Sequence, residues 1–385
     1  MYRELPYTGE ELPQKFLCLT YDDGPGESTF EIAEFLHYEG IKATFFVVGK
    51  YAVENENILE KVARLGHLIG NHTYEHPDMP YYLSKNGDVQ NQILRTDALV
   101  RKYNKNSAIY FRSPYGKWSK EVADELNSNL LATINHIGPI HWDIAGIDCF
   151  YWKNDISVKD TVEKYLLDIE EKGKGIVVMH DEIADMNFLK PKNRTLELTK
   201  QLIPILKASG YRFVRLDEIP SIKESAAKEL FVNLKTKGGK YLSLAEGGEI
   251  IIGQNDAKLN RDFAIQDLGE GRISLTGRNE LFFSIRGEQG IIVKADADVV
   301  DSTERFDLVP LYSNKFLIRA DNGRFLEVQK EKGSLAATAE FMRGGEIFTI
   351  LPVGQQVKKN YSLVQQIKSI RRQLLYVKSK IKQGS

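Results

Sequence analysis

Leu17-Cys18-Leu19-Thr20-Tyr21-Asp22-Asp23-Gly24-Pro25-Gly26 is an apolar run closed by two adjacent carboxylates and a Gly-Pro-Gly turn. The run reads as a strand, and a strand that stops in a tight turn presents its terminal acids at a sheet edge. The same pattern recurs along the first 220 residues. Apolar strand candidates at 15–20, 43–48, 68–71, 108–111, 138–142, 176–180 and 212–215 alternate with helical periodicity over 28–38, 55–65, 88–103, 120–127, 158–172 and 194–209. Strand followed by helix, repeated, predicts a parallel α/β arrangement. The residues that carry chemistry fall at strand ends or just after them, where a barrel-like α/β fold builds its site.

The first of these lies in Asn71-His72-Thr73-Tyr74-Glu75-His76-Pro77, where two histidines stand four positions apart. One helical turn would aim both imidazoles at a single point, which is half of a metal site. Such a pair is commonly no more than a surface feature, and an Asp-Asp-Gly-Pro turn alone is usually only a turn. Together they supply two imidazoles and a carboxylate, a set that suits zinc with a coordination position left open. Asn71 is placed to orient a ligand from behind.

Two further segments complete a hydrolytic set. Tyr110-Phe111-Arg112-Ser113-Pro114-Tyr115-Gly116 puts a guanidinium beside a Pro-restrained turn whose backbone N–H groups could face an oxyanion. Gly175-Ile176-Val177-Val178-Met179-His180-Asp181 reads as a buried strand with His180 emerging at its carboxyl end. Hydrolysis of an amide needs a Lewis acid on the carbonyl, an activated water and a proton for the departing nitrogen, and this set contains a group for each.

On these residues the chain resembles the polysaccharide deacetylases of carbohydrate esterase family four, over about residues 14 to 220. The family's five ordered motifs match Thr20-Tyr21-Asp22-Asp23-Gly24-Pro25, His72-Thr73-Tyr74-Glu75-His76, Arg112-Ser113-Pro114-Tyr115, the region Trp142-Asp143-Ile144-Ala145-Gly146-Ile147-Asp148, and Val178-Met179-His180. The resemblance implies a distorted (β/α) barrel of seven or eight strands. It implies that Asp23, His72 and His76 hold a divalent metal, most simply zinc, and that Asp22 is the base that activates a metal-bound water. It implies that Arg112 orients Asp22, that the Tyr115 backbone N–H and the metal stabilise the oxyanion, that His180 protonates the amine, and that Asp148 holds His180 in its working tautomer. The implied activity is a metal-dependent hydrolase removing N-acetyl groups from amino sugars of an oligo- or polysaccharide, such as a cell envelope polysaccharide. The alternative is a catalytically silent glycan-binding or scaffolding protein, for which an intact base and acid would have no purpose. One motif departs: Cys149 stands where the family usually has Trp, and Phe150, Tyr151 and Trp152 follow it, so the apolar wall of the substrate pocket depends on whether Trp152 fills that place.

At 385 residues the chain is long enough for more than one core. The barrel domain is expected over 1–222. Over about 229–353 helical periodicity gives way to short strands with Gly-bearing turns. Lys240-Tyr241-Leu242-Ser243, Leu281-Phe282-Phe283-Ser284 and Arg324-Phe325-Leu326-Glu327 recur there about every 42 residues, in step with Phe263, Phe306 and Phe348. Threefold recurrence suggests three similar β units, and Ala320-Asp321-Asn322-Gly323-Arg324-Phe325-Leu326 looks like a repeat of fascin-like β-trefoil domains. Glycan binding, protein binding and a purely covering role all remain open for it.

The last segment, 357–385, reads as a basic amphipathic helix: eight Lys or Arg and no acid occur between Lys358 and Lys382. Docking on its own protein or self-association is the first expectation for it, and contact with an anionic membrane surface the second. The net charge of −1 gives no support for nucleic-acid binding. Two cysteines, Cys18 and Cys149, make no disulfide framework. The amino-terminal residues lack an apolar export core, so the expected location is cytoplasmic, with the cell envelope or secretion as the alternative if an export signal was removed.

Overall fold

The computed structural model describes residues 1–104, 108–144, 147–252, 261–287, 292–312, 314–329, 333–342 and 344–357. The chain divides into two compact units, one of Met1–Asn127 with Leu131–Ala226 and the other of Ser128–Leu130 with the chain from Ala227 on.

Among the described residues the first unit carries eight strands: β1 (Tyr2–Tyr7), β2 (Phe16–Asp22), β3 (Thr44–Val47), β4 (Leu68–Asn71), β5 (Ile109–Tyr110), β6 (His136–Ile140), β7 (Gly175–His180) and β8 (Arg212–Phe213). They form two parallel sheets, β4-β3-β2-β7 with β8 against the start of β2, and β1-β6-β5. Two single parallel bridges join the sheets, Asn71 to Phe111 at one seam and Ile144 to Val177 at the other. The result is a distorted (β/α) barrel. At the second seam the Asp143 carboxylate accepts from the backbone N–H groups of Gly9 and Ile176, each at 2.7 Å, and so stands in for missing strand pairs.

β2 is central because both faces of it are covered. Leu17, Cys18, Leu19, Thr20 and Tyr21 have no exposed surface, as a parallel strand flanked by helices requires. The helices observed at Thr29–Tyr38, Glu56–Arg64, Val89–Val100, Lys120–Asn127, Val158–Lys172 and Thr195–Ala208 lie within the windows that periodicity marks out. Their ends have local causes. Ser157 caps Val158–Lys172 by accepting from the Asp160 N–H, and Gly173 closes it at φ 72°, a conformation that costs glycine no Cβ clash.

Register then aligns the strand ends. Asp22 pairs with Phe46 on one side and with His180 on the other, while Val47 pairs with Asn71. The residues that end β2, β4 and β7 therefore meet at one rim. β1 was not expected: its residues are exposed at Arg3, Glu4 and Leu5 and buried only at its two ends, so it carries no alternating pattern.

The second unit is all-β, built of antiparallel strands from Lys228–Thr236 to Phe348–Val357, and these two pair with each other. The recurring segments of the sequence occupy corresponding strands: Leu242–Leu244, Phe282–Arg286 and Phe325–Gln329. Phe263, Phe306 and Phe348, at or next to the starts of three others, are fully buried. The basic helix expected at 357–385 lies outside the described residues, apart from Val357 at the end of the last strand. Among the described residues no helix is long and apolar enough to cross a membrane.

Candidate active site

At the barrel rim, Asp23, His72 and His76 each turn one ligand atom into a common space, all within 4.8 Å of one another. The Asp23 Oδ1 lies 3.6 Å from His72 Nε2 and 3.1 Å from His76 Nε2. The histidines do not achieve this on a helical turn, as the four-residue spacing suggested. The chain leaves β4 at Asn71 and enters a loop in which Thr73 and His76 have left-handed φ values of 67° and 64°. Asn71 sets that loop. Its Oδ1 accepts from the Thr73 N–H at 2.8 Å, its Nδ2 donates to Ile93 O and Asp97 Oδ1, and the Thr73 hydroxyl oxygen accepts from the His76 N–H at 3.1 Å. Asn71 thus shapes the ligand loop through its backbone rather than by touching an imidazole.

Each imidazole is fixed at its far nitrogen. His72 Nδ1 is bonded to the Arg112 carbonyl at 2.8 Å, and His76 Nδ1 to the Asp185 carboxylate. That leaves Nε2 of both rings for the shared space, the arrangement that orients histidine ligands in metal sites. Asp185 also accepts from the Tyr115 hydroxyl and lies 3.9 Å from Lys50 Nζ. Sequence reasoning missed Asp185. Its one signal is the acid-rich stretch Asp181-Glu182-Ile183-Ala184-Asp185 that follows the strand end of β7.

The three side chains fit a divalent cation. Asp23 Oδ1 is buried with no hydrogen-bond partner among the described residues, although Oδ2 accepts from the Ala184 N–H. A buried carboxylate oxygen left without a donor is costly unless a positive charge faces it. Burial opposes the charge on Asp23, but the imidazoles of His76 and His72 outweigh it and hold the carboxyl well below its usual range. Burial likewise works against a proton on His76, and Asp23 and Asp185 overcome it, raising its pKa to about 9.

Asp22 points elsewhere. Its Oδ1 receives Arg112 Nη1 at 2.7 Å, while its Oδ2 is 3.9 Å from His72 Nε2. The two neighbouring acids diverge because Asp22 is the last extended residue of β2 while Asp23 has φ 76°. Gly24 follows because a Cβ there would overlap the Asp181 carboxylate. Arg112 is fully buried and uses its whole fork: Nη1 also donates to Thr20 Oγ1 at 2.8 Å, Nε to Ile140 O at 3.2 Å and Nη2 to His141 O at 3.3 Å. Tyr115 follows in a short turn with φ 58° and is largely exposed.

On the far side of Asp22, His180 Nδ1 is bonded to Asp148 Oδ1 at 2.7 Å, and Asp148 Oδ2 accepts from the His180 N–H at 2.8 Å and from the Thr195 hydroxyl at 3.1 Å. Asp148 opens the helix Asp148–Lys153 and is completely buried. Burial disfavours the charged form of His180, but Cys149 and Asp148 beside it prevail and raise its pKa well above the usual imidazole value. Burial pushes the Cys149 thiol up to about 11, so at neutral pH it is uncharged and Asp148 carries the effect. Trp152 does not replace the missing indole of the pocket wall: it is 2% exposed and donates to Thr195 Oγ1, packed behind Asp148. Phe150 is the exposed aromatic of that helix.

One rim thus gathers a carboxylate with two imidazoles, a second carboxylate clamped by Arg112, and an imidazole bonded to a buried carboxylate, the residue types that hydrolytic sites employ. The polysaccharide deacetylase family matches residues 9–133. A chitooligosaccharide deacetylase of Sinorhizobium fredii is 30% identical over 219 residues, which cover 54% of this chain and 93% of that protein. The chain therefore belongs to the polysaccharide deacetylase family. A peptidoglycan-N-acetylglucosamine deacetylase of Bacillus cereus is 30% identical over 55% of this chain and 68% of its own length. One from Listeria monocytogenes is 30% identical over 59% of this chain, which spans only 44% of the length of that relative. The solved Bc1960 peptidoglycan N-acetylglucosamine deacetylase is 25% identical with a TM-score of 0.45, covering 55% of this chain and 91% of that one.

Proposed function

We propose that the chain is a metal-dependent N-deacetylase acting on amino sugars of an oligo- or polysaccharide of the N-acetylglucosamine type. The observation that carries this reading is the meeting of three separately held groups at one rim: Asp23 with His72 and His76, Asp22 with Arg112, and His180 with Asp148. Asp23, His72 and His76 would hold the cation, and their one carboxylate and two imidazoles suit zinc. A bound divalent cation supplies Lewis acidity to the amide carbonyl and makes water a better nucleophile near neutral pH.

The remaining steps belong to the chain itself. Asp22, clamped through one oxygen by Arg112, keeps its other oxygen for the proton of the attacking water. As the new C–O bond forms, charge gathers on the carbonyl oxygen, and the Tyr115 backbone N–H is the donor assigned to it. His180 has Nδ1 tied to Asp148, so Nε2 is the atom that hands a proton to the departing nitrogen. The C–N bond then breaks to give acetate and a free amine on the sugar. Two relatives are named for peptidoglycan N-acetylglucosamine and one for chitooligosaccharide, which supports an N-acetylglucosamine backbone as substrate class. The all-β unit we assign to a β-trefoil, on its three recurring strand-and-Phe units, with the role of holding polymer near the barrel and raising the local concentration of acetylated units.

The test is acetate release from N-acetylglucosamine oligomers, peptidoglycan and capsule-type polymers by chelated and zinc-restored protein side by side. Release that vanishes on chelation and returns with zinc is expected on at least one of them. Absence of acetate from every substrate with zinc bound would leave the silent glycan-binding alternative standing.

A further inference from the structure

A second constellation of metal-binding atoms sits beside the first. Asp148, Cys149 and His180 each offer one ligand atom, and these lie within 4.8 Å of one another. None of the three belongs to the Asp23–His72–His76 group. Carboxylate, thiol and imidazole together form a set for which zinc has high affinity, because thiolate is the softest ligand a protein supplies. Bond lengths of about 2.0 to 2.3 Å to such ligands place them roughly 3.3 to 3.8 Å apart around a tetrahedral ion, so the widest separation, at most 4.8 Å, would have to shrink, and His180 Nδ1 and Asp148 Oδ1, now 2.7 Å apart, would have to part if both ligate. Access is available: Cys149 is half-buried and the His180 side chain is 23% exposed. The thiol follows from the departure already noted in the fourth motif, since the indole usual in the family has no atom that binds a metal at this position.

We propose that Asp148, Cys149 and His180 form a second, inhibitory site for zinc or a similarly thiophilic divalent ion, filled after the Asp23–His72–His76 site because its ligand atoms must move and the Cys149 thiol must give up its proton before it binds. Binding converts the Cys149 thiol to thiolate and takes a lone pair of the His180 imidazole, with the displaced protons passing to solvent. Occupation silences the enzyme whichever nitrogen is taken. Ligation at Nε2 removes the atom that would protonate the amine. Ligation at Nδ1 breaks the 2.7 Å bond to Asp148 and removes the imidazolium from which that proton would come. The inhibition rests on the acid role proposed for His180, but the binding does not.

The two parts are tested separately. Chelated full-length protein is titrated with cobalt(II), and thiolate-to-cobalt absorption is followed in the near ultraviolet. Only two cysteines exist, and Cys18 is fully buried inside β2, so such a band reports Cys149. Two equivalents are expected, with the band developing on the second. Cys149→Ala should bind one equivalent without the band, and His72→Ala should lose the first equivalent and keep the band. In the second part, zinc beyond one equivalent should depress acetate release by wild type about 100-fold, the scale of a lost general acid, and leave Cys149→Ala untouched. A single equivalent in wild type, or an unchanged band in Cys149→Ala, overturns the site. A second equivalent bound with the band present but activity undiminished overturns the inhibition alone. Absence of acetate release even at one equivalent refutes the catalytic reading while the cobalt titration still decides the site.

Discussion

Replacing Arg112 by Met removes a guanidinium that has no exposure and makes four hydrogen bonds, to Asp22, Thr20, Ile140 and His141, while retaining an apolar chain against Phe46. The largest consequence is electrostatic. The Asp22 side chain is 3% exposed, so the variant leaves a buried carboxylate without its partner. Breaking one side of such a pair costs about 3–5 kcal/mol. Asp22→Asn costs less than this if the carboxamide oxygen still accepts from Arg112, but leaves the guanidinium uncompensated. In the double variant both charges are gone, so its loss should fall short of the sum of the single losses by about 1–3 kcal/mol. The assay is urea unfolding in excess chelator followed by tryptophan fluorescence. All three tryptophans, Trp118, Trp142 and Trp152, lie in the barrel unit, so the signal reports that unit and not the β domain. A loss below about 1 kcal/mol for Arg112→Met, or a cycle additive to within about 0.5 kcal/mol, would refute the view that this pair is a coupled buried unit.

Other expectations follow from the same geometry. Asp22→Asn should abolish acetate release while metal content stays at one equivalent; loss of metal in that variant would show the division of labour between the two acids to be wrong. Asp185→Asn should weaken zinc binding about 10–100-fold by removing the carboxylate behind His76, measured by competition with a chromophoric chelator. Unaltered affinity there would reduce Asp185 to a surface contact. Burial lowers the pKa of His67 to about 4, below an unfolded value near 6.5. The stability it contributes is complete above that unfolded value and is lost as pH falls toward the folded one, by up to about 1.4 kcal/mol per pH unit. Unfolding free energies at pH 7 and 5 should therefore diverge more in wild type than in His67→Gln, and parallel curves would deny His67 that part.

Much of the barrel was legible because its strands are buried on both faces and its helices present one apolar side. Phe16–Asp22 shows both the apolar run and its stop in the residues themselves. β1 was not legible, since it pairs on one edge with β6 and exposes Arg3, Glu4 and Leu5, so neither periodicity nor an apolar run marks it. The site shows the same division. Residue types at strand ends pointed to Asp22, Asp23, His72, His76, Arg112 and His180, but the path that brings the histidines together depends on left-handed Thr73 and His76 and on bonds from Asn71 that no spacing rule encodes. Asp185 was hidden because its role arises only when the loop after β7 folds back onto His76, 109 positions away in the chain. Trp152 illustrates the converse: an aromatic next to a motif invites a pocket role, and the helix geometry buries it.

A single cation shared by Asp23, His72 and His76 underlies every step proposed for this site. Anomalous diffraction at the zinc edge, from protein loaded with a single equivalent, tests it. The expected result is one peak within about 2.0–2.2 Å of Asp23 Oδ1 and of Nε2 in both histidines. A peak elsewhere, or full zinc occupancy that survives the loss of both imidazoles, would contradict it.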